Sequence, residues 1–320
     1  IRIPASCCGV VGFKPSLGRV PRVPVGNLFN TAWNAGPIAR TVEDCALGLQ
    51  VISGPDLRDP FSTSPFAPEE LVLDGDLAGV RIGWTASPTA VPVETVVVDA
   101  ARTALGLLES RGARVEDRRE TLPIPRGPLR GLLAGDALLV FVLAEMANPW
   151  RSLLVRMMSW FQSRYRFSPS FAPLARKGYH LPLWRYVAAQ KELTDFVETS
   201  VWALFGECDL LATPTIALPP FPHPGVRHLG PSLVAGQRID PHIDWMFTWP
   251  FNLTGQPAVS VPCGWTADGL PIGLQIVGRR CQDGLVLRVA AAIERLHLSQ
   301  RRRPPIASTK PAAAPSHSAT

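Results

Sequence analysis

The apolar residues of the segment 36–56 recur at helical spacing. One face of the expected helix carries Val42, Cys45, Ala46, Leu49 and Ile52. Thr41 precedes this face as a plausible N-cap, and Asp44 three residues later completes a pair similar to a capping box. Gly54-Pro55 follows the last apolar position and stops helical continuation. The pattern therefore predicts a helix between Thr41 and Gly54.

A second pattern changes from strand to helix and back to strand. The run GVRIGWT (79–85) is short and apolar, and residues 94–110 show amphipathic helical spacing that ends at Gly112. Residues 113–118 read as a further strand. A strand, a helix and a strand in this order normally form a parallel crossover unit.

The carboxyl-terminal third has the clearest strand signals. CDLLATPT (208–215) reads as a short buried strand. Two β-rich runs, 257–266 and 271–279, are separated by the turn sequence ADGLP, which predicts an antiparallel pair. Asp283 is a candidate cap for a final helix. The apolar face of that helix is expected to carry Leu285, Val289, Ala292, Ile293 and Leu296. The fold class predicted is α/β, with a mixed, twisted central β-sheet covered by helices on both faces.

The segment 131–205 is the least patterned part of the chain and is expected to be mainly helical. Its longest apolar stretch, 131–147, is interrupted by Asp136 and Glu145. The stretch is also shorter than the roughly 20 residues that a membrane span needs. We interpret it as a core helix and expect no membrane interaction.

Composition adds few functional constraints. The chain has 320 residues, 33 prolines and a formal net charge of +6. Arg295 and the run 301–303 concentrate the basic excess near the carboxyl end. We interpret this end as solvated and expect no nucleic-acid partner. The domain division predicted is one domain over 1–298, followed by a disordered tail, rich in Arg, Pro and Ala, over 299–320.

Cysteine and histidine spacing argues against a metal site. The six cysteines show no C-x-x-C pair, and the six histidines form no ligand-like pattern. We expect no metal and no cofactor. Free cysteines in apolar contexts favour a reducing compartment, so the predicted location is cytoplasmic. Common catalytic motifs, among them G-x-S-x-G, the P-loop and H-E-x-x-H, are absent from the sequence.

Four blocks nevertheless resemble one family. The opening IRIPASCCGVVGFKP followed by GRVP resembles the second half of the defining motif of the amidase signature family. GPIARTVEDCAL with GPDLRDP is similar to the family's next block, and CDLLATPT to the strand that feeds a later active-site loop. The run 247–279 is similar to the carboxyl-terminal block. Residues 113–205 match weakly.

The resemblance implies a serine hydrolase with a Ser–cis-Ser–Lys triad. In the family an I-R-x-P-like segment directly follows the nucleophilic serine, which would place that serine immediately before Ile1. The rest of the triad and the oxyanion donors would also lie upstream. The chain is therefore expected to be a partial amidase domain truncated just after the nucleophile, and inactive alone. Lys14, expected in a turn before Pro15, and Ser6, expected in a helix, are not expected to replace the missing groups.

The resemblance also suggests supporting residues. Arg2 and Pro4 are expected to support the active site, with the Arg2 guanidinium holding the glycine-rich loop through an acidic partner. The alternative for Arg2 is direct contact with a carboxylate-bearing substrate. Candidate substrate-pocket residues are Thr213, Asn252, Gly255, Gln256 and Pro257. The alternative is purely structural: Thr213 packs in the core, and the turn 252–257 is held by Asn hydrogen bonds, with Gly255 adopting an unusual φ. Tryptophans, among them Trp33 and Trp249, either pack in the core or line an apolar pocket.

Three functional interpretations follow from the sequence. The first is an amidohydrolase that converts a carboxylic amide into an acid and ammonia or an amine, with a small-molecule partner and a homodimer as the candidate assembly. The second is a glutaminase similar to the ammonia-releasing subunit of glutamyl-tRNA(Gln) amidotransferase, although the FNLTGQP block favours a stand-alone amidase. The third is a non-catalytic remnant or binding fragment.

Overall fold

A mixed seven-stranded sheet forms the centre of the molecule. The computed structural model describes residues 1–23, 31–64, 71–122, 124–135, 177–178, 180–222 and 230–296. The strands are β1 (Val11–Lys14), β2 (Ile38–Ala39), β3 (Arg81–Trp84), β4 (Arg114–Asp117), β5 (Leu210–Pro214), β6 (Leu233–Val234), β7 (Gln237–Arg238), β8 (Ala258–Trp265) and β9 (Pro271–Gly278). The main sheet has the order β2-β1-β8-β9-β5-β3-β4, and β6 pairs with β7 separately.

The direction of the strands follows their connections. β3 is parallel to β4 and to β5, whereas β9 is antiparallel to β5 and to β8. β1 is antiparallel to β2 and to β8. The predicted parallel unit and the predicted antiparallel pair are therefore both present, and the mixed sheet is confirmed.

Helices cover both faces of this sheet. They are α1 (Arg2–Cys8), α2 (Val42–Ile52), α3 (Thr95–Glu109), α4 (126–135), α5 (Leu183–Phe196), α6 (Trp202–Phe205), α7 (Trp249–Leu253) and α8 (Asp283–Leu296). A π-helical segment, Val197–Val201, joins α5 to α6.

Alternate residues of the central strands bury opposite faces. On β9, Leu274 and Ile276 pack in the core cluster that contains residues of α2, α3 and α8. Val277 packs instead with Phe196 of α5 and Phe205 of α6. Because successive strand side chains point to opposite faces, one sheet can bury two separate helical layers. We call the second layer the α1 face, because α1 lies on it as well.

The α1 face carries a row of small and polar residues across four neighbouring strands. In the strand register, Gly12 of β1 lies opposite Ser260 of β8, and Ser260 lies opposite Gln275 of β9. Gln275 in turn lies opposite Thr213 of β5. A polar row inside an otherwise apolar sheet must have partners, and most of these are described with the site below.

Glycines on this face allow α1 to lie directly on the sheet. A Cβ atom added at Gly12 would be 2.6 Å from Ala5 Cβ and 2.9 Å from the Ile1 carbonyl oxygen. A Cβ atom at Gly273 of β9 would collide with Ser6 Oγ. Ser6 is accordingly buried between helix and sheet.

A buried carboxylate joins the last helix to the loop that follows β1. Asp283, the first residue of α8, accepts hydrogen bonds from the Ser16 backbone N–H (2.7 Å) and from Ser16 Oγ (2.5 Å). Arg19 Nε lies 3.6 Å from the same carboxylate. The predicted role of Asp283 as a helix cap is thus corrected: its oxygens bind the loop after β1.

The predicted helix patterns need small corrections. Asp44 N–H donates to Thr41 Oγ1 at 2.9 Å, as the capping pattern predicted, but Ile52 is 41% exposed at the end of α2. The buried face of α8 is wider than the predicted one, because the sheet, α2 and α3 all contact the helix. Val289 and Ile293 are buried as predicted, and Leu285 and Ala292 pack at the edge of the same core. The fully buried residues of α8 include Val286, Leu287, Val289, Ala290 and Ile293. The core helix expected over 131–147 lies largely outside the described residues, as does the tail 299–320.

We expect Gly12→Ala to lower the free energy of unfolding by about 1–3 kcal/mol, because the new methyl group would meet backbone and Ala5. Urea denaturation of the purified chain measures this effect. The matched control is Gly106→Ala in α3, where an added Cβ meets nothing within 4 Å. That control should be neutral or gain up to ~1 kcal/mol from helix propensity. Equal midpoints for the two variants would contradict the packing of α1 described here.

Candidate active site

The centre of the site is the buried guanidinium of Arg2, in the first turn of α1. Its side chain donates to Gln275 Oε1 (2.5 Å) on β9, to the Thr248 carbonyl oxygen (2.8 Å) and to Asn252 Oδ1 (2.5 Å) on α7. Three acceptors from three parts of the chain therefore converge on one side chain. The planar fork of arginine suits such a multidentate role better than the single ammonium group of lysine.

All three of these partners of Arg2 are neutral. Burial lowers the pKa of the Arg2 guanidinium to about 9, which leaves it charged at neutral pH. The sequence motif led us to expect an acidic partner, but no carboxylate is among the hydrogen-bond acceptors described for Arg2. Amide and carbonyl dipoles stabilise the cation instead.

Gln275 extends this network to Thr213. Its Nε2 group donates to Thr213 Oγ1 (2.9 Å) and to the Phe247 carbonyl oxygen (3.1 Å). The Thr213 hydroxyl donates onward to the Pro214 carbonyl oxygen (2.8 Å). One residue past β5, Thr215 Oγ1 lies 2.8 Å from Ser260 Oγ. The polar row of the α1 face is thus hydrogen bonded, and it positions Arg2.

The turn 252–257 contacts the site through its first two residues, Asn252 and Leu253. Gly255 has a φ of +69° and its carbonyl oxygen accepts from the Leu17 N–H at 2.9 Å. Gln256 is fully buried, and its Oε1 accepts from Thr254 Oγ1. The Pro257 carbonyl oxygen accepts from Gly278 N–H. These contacts fix the start of β8. The positive φ of Gly255 agrees with the structural alternative, but the Asn252 side chain accepts from Arg2 and does not hold the turn.

A cavity of about 440 Å³ lies over Arg2. Of the predicted site residues, Arg2, Pro4 and Asn252 line it, and Pro4 is exposed on the first turn of α1. Thr213 does not line the cavity but lies beneath it, one hydrogen bond behind Gln275. Gly255, Gln256 and Pro257 are likewise absent from its lining. Trp33 and Trp249 do line it, as one of the alternatives for the tryptophans proposed.

One whole wall of this cavity was not predicted from the sequence. Leu129, Leu132 and Leu133 of α4 reach it from one side, and His242, Ile243 and Met246 from the loop before α7. The three leucines have i, i+3 and i+4 spacing, which is a recognisable helical face. Nothing in that pattern alone indicates that the face lines a cavity and not the core.

Two arginine–aspartate pairs join the parts of this wall. Arg126 donates through Nε and a terminal nitrogen to both carboxylate oxygens of Asp244, each at 3.0 Å. Arg130 donates to Asp240 at 2.5 Å. The bidentate geometry of the first pair fixes the angle as well as the distance between helix and loop. The wall is therefore held in place by contacts outside the cavity.

Lys14 is a second buried basic residue in the cavity lining. It ends strand β1, so the prediction of a turn at this position is corrected, and its Nζ donates to the Pro15 carbonyl oxygen at 2.9 Å. Burial, reinforced by the positive charge of Arg2, lowers the pKa of the Lys14 amine well below its usual value. Asp283 opposes this shift without cancelling it.

The described residues contain no group of three or more His, Cys, Asp or Glu side chains placed to hold a metal ion. Within the same ranges, no helix has both the length and the apolar character needed to cross a membrane.

Fold and site together define a mixed α/β protein with a buried arginine network beneath an apolar cavity. The family model described as Amidase matches residues 1–287. The chain belongs to the amidase family, as its sequence motifs indicated.

Individual relatives agree with this assignment. The chain is 33% identical over 298 residues to an acylamidase of Rhodococcus erythropolis, covering 92% of this chain and 58% of the relative. It is 30% identical over 312 residues to a glutamyl-tRNA(Gln) amidotransferase subunit of Roseiflexus sp. (strain RS-1), covering 92% of this chain and 61% of that relative. The chain thus spans about three fifths of the length of these curated relatives.

A solved structure supports the fold. The structure of a bacterial aryl acylamidase of the amidase signature family superimposes with a TM-score of 0.78 at 32% identity. The match covers 92% of this chain and 60% of that one. The α/β fold with its mixed central sheet is therefore that of the amidase signature enzymes.

The titration of Lys14 has a measurable consequence for stability. Because its folded pKa lies below that of the unfolded chain, the unfolded state binds more protons between the two values. The contribution of Lys14 to folding stability should therefore improve as pH rises through that window. We expect the free energy of unfolding of Lys14→Met, relative to the unchanged chain, to fall progressively as pH is raised from 7 toward 10.

Urea midpoints at several pH values test this prediction. The matched control is Lys191→Met, because Lys191 is exposed and Asp195 raises the pKa of its amine. The control's difference from the unchanged chain should stay constant between pH 7 and 9. A Lys14→Met difference that is also independent of pH would show that Lys14 is not buried as described.

Proposed function

We propose that this chain forms the carboxyl-terminal part of an amidohydrolase that converts a carboxylic amide into an acid and ammonia or an amine. The observation that carries the proposal is the placement of Ile1 and Arg2 in the lining of the cavity. The family resemblance implies a nucleophilic serine immediately before Ile1. A residue bonded to Ile1 there would reach the cavity at the end where Arg2 and Asn252 lie.

The proposed chemistry uses a Ser–cis-Ser–Lys triad that lies upstream of Ile1. The nucleophilic hydroxyl adds to the amide carbonyl carbon, and its proton passes through the bridging serine to the lysine. Backbone N–H donors stabilise the tetrahedral oxyanion, each worth roughly 2.7–4 kcal/mol. The proton then returns to the leaving nitrogen, and water hydrolyses the acyl-enzyme. In this proposal none of the reacting groups is among the residues 1–320, so we expect the chain alone to be inactive.

In the proposed reaction the residues of this chain hold the nucleophile and the cavity in position. Arg2 joins the helix that follows the nucleophile to β9 and α7. Geometry at a nucleophile must hold within a fraction of an ångström, and buried hydrogen-bond networks supply that rigidity. Pro4 and Asn252 complete the cavity edge around Arg2. The homodimer and the cytoplasmic location stay predictions.

The test restores the upstream segment. We expect the purified chain to hydrolyse no simple amide and to remain unlabelled by a fluorophosphonate probe. A chimera places before Ile1 the part of the Rhodococcus erythropolis acylamidase that precedes its match to this chain. The chimera should hydrolyse amides, and alanine in place of the serine directly before Ile1 should lower kcat by at least about 10³-fold.

Each other outcome selects a different interpretation. Hydrolysis and labelling by the unextended chain would contradict the upstream triad. A chimera that melts cooperatively yet hydrolyses nothing would favour the non-catalytic remnant. A chimera that prefers L-glutamine to all other amides would favour the glutaminase related to the amidotransferase.

A further inference from the structure

We infer that the cavity over Arg2 selects a neutral amide with a bulky apolar group, aromatic or branched, over a zwitterionic amide such as L-glutamine. The inference rests on the proposed function, because that function puts the scissile amide at the Ile1 end of the cavity. It goes beyond that function by naming the substrate class.

The polar and apolar parts of the cavity lining are separate. Arg2, Thr248 and Asn252 lie together, joined by the Arg2 hydrogen bonds. The facing wall is mostly apolar: it consists of Leu129, Leu132, Leu133, Ile243, Met246 and Trp249, with the half-buried His242 as its one polar member. A ligand that fits both ends has one polar group and one apolar body. Each Å² of apolar surface that it buries contributes about 25 cal/mol.

The apolar wall is also formed in advance of binding. Leu129 and Ile243 pack with Leu193 of α5 in one hydrophobic cluster. The Trp249 ring lies 5.5 Å from that of Phe196, measured between centroids. Together with the Arg126–Asp244 pair, these contacts hold the wall without any ligand. A wall that need not rearrange adds no ordering cost to binding.

The lining carries the basic side chains of Arg2, Lys14 and His242, none of which can pair with the ammonium group of a zwitterionic amide. No Asp or Glu side chain is among the described residues that line the cavity, so the ammonium group of such a substrate has no carboxylate to pair with. Asp240 and Asp244 lie near the wall, but both accept hydrogen bonds from arginines of α4. Taking an unpaired ammonium group out of water is costly. A neutral aryl or branched alkyl group avoids that cost.

The size of the cavity agrees with this class of ligand. A volume of about 440 Å³ lies within the range of sites that enclose drug-sized molecules, roughly 300–1,000 Å³. A substrate as small as acetamide leaves the apolar wall uncovered and gains nothing from it.

The primary experiment measures binding to the purified chain itself, with no catalysis required. The probes are acetanilide, acetamide and L-glutamine, observed by saturation-transfer NMR. We expect acetanilide to bind at least about tenfold more tightly than either other probe. The variant Leu133→Asn replaces a wall residue that is already 37% exposed, so the fold should tolerate it. It should weaken acetanilide binding about fivefold.

The matched control is Leu47→Asn, on the exposed side of α2, which should leave acetanilide binding unchanged. Equal binding of the three probes, tighter binding of L-glutamine, or equal effects of the two variants would each overturn the inference.

The chimera supplies a separate arm of the test. The kcat/KM of the chimera for an anilide should exceed its kcat/KM for acetamide. Leu133→Asn should lower the ratio of these two values. A chimera that hydrolyses all amides equally would overturn the inference while leaving the proposed function intact. A chimera with no activity would contradict the proposed function, and acetanilide binding to the chain would still decide the inference.

Discussion

The structure depends on one buried cation, the guanidinium of Arg2. A charge in a protein interior is stable only when polar groups surround it, and the fold places Gln275, Thr248 and Asn252 around this one. That requirement explains why β9 carries a polar residue at the centre of an apolar sheet. The guanidinium reaches these partners because α1 lies directly on the strands, where Gly12 and Gly273 leave room for the helix.

The same constraint organises the cavity. Arg2 closes one end with hydrogen bonds, and the opposite wall is assembled from α4, α7 and the loop before α7. The two arginine–aspartate pairs lie outside the cavity, so they fix the wall without adding charge to its lining. The α4 side of the wall shares no residue with the Arg2 network, whereas α7 contributes Trp249 to the wall and Asn252 to the network.

Much of the fold could be predicted from the sequence because the signals are local. The Thr41 cap, the crossover around α3 and the β8–β9 pair depend on neighbouring residues, and all three are present. The motif blocks identified the family and pointed to Arg2 and Asn252. The neutral partners of Arg2 and the burial of Lys14 could not be predicted, because these depend on strand register and on contacts hundreds of residues apart. The apolar wall was missed for a similar reason: a leucine face looks identical whether it faces a cavity or a core.

Arg2 holds α1 to the sheet through Gln275, and a double-mutant cycle with Arg2→Met and Gln275→Leu, measured by urea denaturation, tests this coupling most directly. We predict that the double variant loses at least ~1 kcal/mol less free energy of unfolding than the two single variants lose together. Each single change leaves a buried polar partner without its hydrogen bond. The control cycle pairs Arg2→Met with Arg111→Met, an exposed residue, and should be additive within about 0.5 kcal/mol. Additivity in both cycles would contradict the coupling.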